Sequence, residues 1–341
     1  MKIVSVYDAV GMVLCHDLTS IVPGKEKGVA FKKGYVVRED DIPRLLNIGK
    51  EHLYVWDLND GFVHEDDAAY RIAKAAVGRG LIFAEPREGK IDFETEYDGL
   101  LKINVKALYD VNSVKDVMFS SLHTNQMVRA GQKVAGTRII PLVIENDNLL
   151  AVEKICAESF PLIEVKPFKQ GLKLGIVTTG SEVFNKRIPD GFGPVLRGKA
   201  EHYGVTVLEQ VFTPDNAPTI TEAIKSMISR GADIVAVTGG MSVDPDDVTP
   251  LSIRNSGAEV AVYGVPVLPG AMFMLGYLDD SVVMGLPGCV MFNNTTILDI
   301  VFPLLLAGER PSRSDLIAYA HGSYCLKCDV CHYPVCGFGK R

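Results

Sequence analysis

The chain has 341 residues, 47% of them apolar, and a formal net charge of −7 at pH 7. That length supports two or three domains, and that apolar content fills real cores, which excludes a disordered chain. The acidic balance excludes broad nucleic-acid binding, which needs a basic face, so an anionic ligand must be held by local donors.

The opening residues, Met1-Lys2-Ile3-Val4-Ser5-Val6, lack a basic segment followed by an apolar one, and no apolar run reaches membrane-spanning length. A cytoplasmic protein is expected. Residues 1–78 read as a mixed α/β module. Val29–Val37 suggests strand and turn, and Glu39–Gly49 suggests a short helix with an acidic first turn and a glycine stop. His52–Trp56 reads as a strand, and Asp66–Val77 as a helix ended by Gly78. Residues 79–168 change to short alternating strands separated by turns such as Arg87-Glu88-Gly89-Lys90 and Arg129-Ala130-Gly131-Gln132, a β-rich module. Pro161–Gln170 reads as a linker.

From Gly171 the pattern alternates strand and helix, and residues 171–310 are expected to form a doubly wound α/β domain. The run Leu174-Gly175-Ile176-Val177 leads into Thr178-Thr179-Gly180-Ser181-Glu182. The run Ile234-Val235-Ala236-Val237 leads into Thr238-Gly239-Gly240-Met241-Ser242, followed by Asp244, Asp246 and Asp247. Between them Pro194–Tyr203 and Thr219–Arg230 read as helices, with Val205–Phe212 as a strand. Val260–Tyr263 and Val282–Met284 read as further strands. Val290–Leu306 reads as one long apolar helix that Pro303 kinks. The tail from about Pro311 reads as a separate appendage.

A short apolar run ended by glycine is a buried parallel strand, and the turn after it lies at the carboxyl edge of the sheet, where open α/β sheets bind ligands. Glycine lets backbone amides approach a phosphate, while hydroxyls and carboxylates in the same turns suit a polar ligand or a metal ion. Asp244 and Asp246 read as solvated or capping residues; Glu182 reads either as a first-turn helix residue or as a ligand-side carboxylate.

Thr179-Gly180-Ser181-Glu182, Thr238-Gly239-Gly240-Met241-Ser242 with Asp247, and Gly285-Leu286-Pro287-Gly288 resemble the signature turns of molybdopterin-binding proteins of molybdenum-cofactor biosynthesis, the molybdopterin molybdenumtransferases among them. The resemblance covers residues 171–308. It implies binding of molybdopterin, often adenylylated, at the carboxyl edge of the sheet, and Mg²⁺-assisted insertion of molybdate, or tungstate in related pathways. It implies Glu182 and Asp247 as the acidic, catalytic pair. Thr179, Gly180, Ser181, Thr238, Gly239, Gly240, Ser242, Pro287 and Gly288 would bind the cofactor. It further implies a homo-oligomer and delivery to a molybdoenzyme.

The chain departs from that pattern in three places. Asp244 stands where the family has glycine, Cys289-Val290 stands where it continues Asn-Pro, and Pro269-Gly270-Ala271-Met272 lacks the usual lysine. These departures keep a second reading open, a non-catalytic carrier or sensor of the cofactor.

Of seven cysteines, Cys15, Cys156 and Cys289 are scattered and read as small apolar residues. Cys325, Cys328, Cys331 and Cys336 crowd into residues 322–341 with spacings x₂, x₂ and x₄. Such a group outside a secreted context reads as a metal site, either an iron–sulfur cluster or tetrahedral Zn²⁺ with His332 as a substitute ligand.

Overall fold

The computed structural model describes residues 2–22, 26–55, 61–242, 244 and 247–340. The expected strand residue Trp56, and Asp246 of the acidic turn, lie outside the described residues. The chain divides into two compact units. One comprises Met1–Glu96, Ile103–Leu122 and Ala130–Val165, and the other Tyr97–Lys102, His123–Arg129 and Lys166–Arg341.

The first unit is β-rich. Lys2–Ser5 pairs antiparallel with His52–Val55, and Leu18–Val22 with Glu26–Phe31. Leu14, Phe31, Val37, Leu45 and Leu53 close a small core there. The expected Glu39–Gly49 helix is a 3₁₀ turn, Glu39–Asp41, running into the helix Ile42–Asn47. A separate, four-stranded antiparallel sheet orders Leu81–Phe83, Lys90–Thr95, Lys133–Ile139 and Val117–Ser121. The helices Glu65–Ala76 and Asn146–Glu158 are tied by a bidentate pair, Arg71 to Glu153, at 2.7 and 2.9 Å.

The second unit is a doubly wound α/β domain. Its six-stranded sheet runs Thr206–Thr213, Lys173–Thr179, Ile234–Thr238, Ser281–Leu286, Met274–Leu278 and Glu259–Tyr263. The first four strands are parallel and the last two antiparallel. Residue parity divides the sheet between two cores. Leu174, Ile176, Ala236 and Met284 face one, while Val177, Val235, Val237 and Val283 face the other. Both faces are covered, by helices that include Phe192–His202 and Ile297–Leu306 on one core and Ala217–Ser229 and Thr249–Asn255 on the other. Burial on both faces is why these strands read as unbroken apolar runs rather than alternating ones.

Three expectations need correction. The expected linker Pro161–Gln170 contains a strand, Ile163–Pro167. The segment Val290–Leu306 is not one helix but Cys289–Phe292 and Ile297–Leu306. Thr296 breaks the run by taking extended geometry and capping the second helix. Its hydroxyl accepts from Leu298 N at 3.2 Å, and Asp299 Oδ2 accepts from Thr296 N at 2.8 Å, a capping box. Pro303 sits inside the second helix without ending it.

The tail is likewise no detached appendage. Leu268 N donates to Ser323 O and Cys325 N to Leu268 O, and Phe338 and Tyr333 pack into the core beneath the sheet. The Tyr333 hydroxyl donates to Asp299 O at 2.9 Å. Among the described residues no helix is long and apolar enough to cross a membrane.

Candidate functional site

The register of the parallel strands sets the site. Thr179 lies beside Thr213, Thr178 beside Thr238, and Thr238 beside Leu286. The turns after these four strands therefore open at one edge. Together they enclose a cavity of about 760 Å³.

Thr179, Gly180 and Glu182 come to this cavity from the first turn, and Gly239, Gly240, Ser242, Asp244 and Asp247 from the second. Pro287 and Gly288 come from the third. Ser181 and Thr238 stand just behind the wall. Ser181 N donates to Asp215 Oδ2 at 2.8 Å, and Thr238 is fully buried within its strand. Glu182 is exposed on the first turn of the short helix Ser181–Phe184, and Asp244 is exposed as well.

The glycines have a steric reason to be there. Gly180, Gly239 and Gly240 adopt φ of 130°, 86° and 56°, values that disfavour any side chain. A Cβ on Gly240 would stand 2.9 Å from the Thr249 hydroxyl. Gly288 differs: its φ is −54°, and a Cβ there would have no neighbour closer than 4.0 Å.

Among the described residues, three buried oxygens at this edge have no hydrogen-bond partner: Thr213 Oγ1, Thr238 Oγ1 and Asp247 Oδ2. An unpartnered buried oxygen is costly, roughly 1–3 kcal/mol, unless a ligand or ion completes it. Asp247 does not cap the helix Thr249–Asn255; Val248 holds that N-cap position, with no side-chain bond. The Asp247 carboxylate is thus free for another task, while its amide closes the turn onto Asp244 O at 3.0 Å.

Sequence reading missed several wall residues. Asp215 lies just past the strand Thr206–Thr213 and lines the cavity, so a fourth carboxylate joins Glu182, Asp244 and Asp247. Inspecting the turn at the carboxyl end of every parallel strand would have found it. Met272, Met291 and Phe192 supply apolar walls that the turn motifs do not announce. Asp190 braces the Ile188–Phe192 wall, accepting from Phe192 N at 2.9 Å and from Gln210 Nε2 at 2.7 Å. Among the described residues the cavity walls carry four carboxylates and no lysine or arginine. A polyanion can settle there only with a cation beside it.

The four tail thiols fall elsewhere in this unit. Cys325 and Cys336 are half-buried, Cys328 and Cys331 are exposed, and none of the four is joined in a disulfide. Among the described residues no three His, Cys, Asp or Glu side chains converge closely enough to hold one metal ion. Cys15 and Cys156 are buried, and burial pushes both thiols up to about 11, as suits inert core residues.

Residues 175–307 match the family model described as "Probable molybdopterin binding domain", and residues 3–57 match a domain of unknown function. A molybdopterin molybdenumtransferase of Haemophilus influenzae is 29% identical over 211 residues, covering 59% of this chain and 51% of that protein. A molybdopterin molybdenumtransferase of Staphylococcus aureus strain COL is 31% identical over 132 residues, covering 37% of this chain and 31% of that protein. The chain thus spans about half or less of the length of these relatives. A solved structure of the molybdopterin biosynthesis enzyme MoaB from Thermus thermophilus is 20% identical, covers 40% of this chain and 98% of its own, and has a TM-score of 0.35.

Proposed function

Residues 175–307 form a domain of the molybdopterin-binding family, and from that premise we propose that this chain binds molybdopterin in molybdenum- or tungsten-cofactor biosynthesis. The observation that carries the reading is the convergence of the three glycine turns on one cavity with the unpartnered Asp247 Oδ2 in its wall. Gly239, Gly240 and Gly288 let backbone approach a phosphate without a side chain between.

The residues present fit Mg²⁺: hard carboxylate oxygens surround a space meant for phosphate, and one of them is buried without a partner. Asp247 would hold the ion, with Asp244 or Glu182 completing the set. When bound, Mg²⁺ supplies the positive charge that draws phosphate oxygens in and polarises them. The chain's own residues do the rest. The Thr238–Ser242 turn fixes the phosphate, Asp215 holds the Ser181 amide and so the first turn, and Met272 and Met291 exclude water from the pterin side.

On this reading the activity is that of a molybdopterin molybdenumtransferase: adenylate release coupled to insertion of molybdate, in a homo-oligomer that serves a molybdoenzyme. A second reading, a non-catalytic carrier or sensor, draws on the absence of any lysine or arginine among the described residues of the cavity wall. Incubating the full chain with adenylylated molybdopterin, Mg²⁺ and molybdate separates the two. The transferase reading expects AMP release that depends on both additions. Tight pterin binding with no AMP release establishes the carrier instead.

A further inference from the structure

The tail forms a closed loop. Gly339 N donates to Gly322 O at 3.0 Å, which joins its two ends, and Phe338 and Tyr333 anchor it to the core. Inside lies a cavity of about 640 Å³ that Cys325, Cys328, Cys331 and Cys336 all line. Residues 292–295 line it as well.

Polar and cationic groups stand beside these thiols. The Thr295 hydroxyl and Cys331 Sγ are hydrogen-bonded at 3.1 Å, with either able to donate. Lys327 also lines the cavity. Four thiolates this close repel unless a cationic centre holds them. The loop also carries strongly exposed apolar side chains between its thiols: Leu326 is 81% exposed and Val335 85%.

Cavity size and cysteine spacing point to a cluster rather than a single ion. One Zn²⁺ needs four sulfurs at about 2.3 Å from a common point. Here all four thiols line one cavity of about 640 Å³, far more room than a single ion takes. An inorganic core of several irons, with a thiolate at each corner, fills such a space, and x₂ spacing of three cysteines is the spacing such cores use.

We propose that Cys325, Cys328, Cys331 and Cys336 ligate an iron–sulfur cluster set back to back with the cofactor cavity. The partition between the two cavities is the helix Cys289–Phe292: Phe292 lines the thiol cavity and Met291 the other. The cluster assignment stands on the thiol cavity alone; only its meaning as a redox centre beside the pterin rests on the function proposed above.

The test uses full-length protein, purified anaerobically and reconstituted with ferrous iron and sulfide. Cys328→Ser and Cys331→Ser alter exposed side chains, so circular dichroism should show both folded. Wild type should carry stoichiometric iron and acid-labile sulfide, a broad visible absorbance bleached by dithionite, and a paramagnetic signal in one oxidation state. Both variants should lose most of the iron and the absorbance, whereas Cys289→Ser should keep them. Colourless wild type with stoichiometric zinc, wild type binding neither metal, or iron retained in both folded variants would each overturn the proposal. Titration of the same samples with molybdopterin tests the cofactor cavity separately, so failure of one site does not read as failure of the other.

Discussion

A Cβ on Gly239 would stand 2.7 Å from both the carbonyl oxygen and the hydroxyl of Thr179. The two signature turns therefore press backbone against backbone, and the residue that allows it also holds φ at 86°. Gly239→Ala should destabilise the fold by about 2 kcal/mol or more, from left-handed strain plus a contact that cannot relax. Chemical denaturation should show a lower midpoint at unchanged slope. A variant as stable as wild type would mean that the turns move apart freely.

Gly288 gives the cleaner probe of binding. It lines the same cavity at an ordinary helical φ with open space around it. Gly288→Val should keep the melting temperature within a degree or two while weakening molybdopterin at least tenfold, or about 1.4 kcal/mol. Pterin fluorescence titration reads the second quantity. Equal affinity in the two proteins would remove this turn from the site.

Asp247→Asn should separate ion binding from folding. Its Oδ2 is buried without a partner, so the substitution breaks no hydrogen bond at that atom. Thermal stability of the unliganded protein should hold or rise. The Mg²⁺ dependence of pterin binding should vanish. A marked fall in stability would show that the carboxylate supports the turn instead.

The capping box at Thr296 is a stability prediction remote from any ligand. Thr296→Ala removes the hydroxyl that accepts from Leu298 N and should cost about 1 kcal/mol. Asp299→Ala should cost more, because it also strands Lys199, whose ammonium lies 2.5 Å from the carboxylate. Urea denaturation of the two variants orders them.

Acid stability should respond to Glu309. Burial pushes its carboxyl up, but a 2.7 Å bond from Lys166 and the nearby Lys102 outweigh this and hold it below the ordinary carboxylate range. A depressed folded value means the stabilisation is present above the unfolded value, near 4.3, and is lost as pH falls through the folded one. Glu309→Gln should therefore cost about 0.5–1 kcal/mol at neutral pH, a cost that shrinks below about pH 4. A stability difference constant from pH 7 to pH 3 would contradict this pairing.

The strands Lys173–Thr179 and Ile234–Thr238 were legible in the sequence because burial on both faces writes an unbroken apolar run, ended by glycine. The first two glycine turns could be read because the φ values at Gly180, Gly239 and Gly240 disfavour any other residue. Asp215 escaped because its turn carries no glycine and belongs to a strand whose burial is only partial. Met272 and Met291 escaped because apolar walls have no spacing rule. The break at Thr296 was hidden by apolar residues on both sides, where only the Thr296–Asp299 pair signals a helix start. The packing of the tail rests on Tyr333 and Phe338, whose partners lie far back in the chain.

The central claim is that one cavity at the parallel-strand edge takes molybdopterin through its phosphate with Mg²⁺ at Asp247. Titration of the full chain with molybdopterin, with and without Mg²⁺, tests it most directly when wild type, Gly288→Val and Asp247→Asn are compared. The expected result is saturable one-to-one binding that Mg²⁺ strengthens in wild type, that Gly288→Val weakens, and that no longer responds to Mg²⁺ in Asp247→Asn. No binding by the folded wild type, or binding that neither substitution changes, would contradict it.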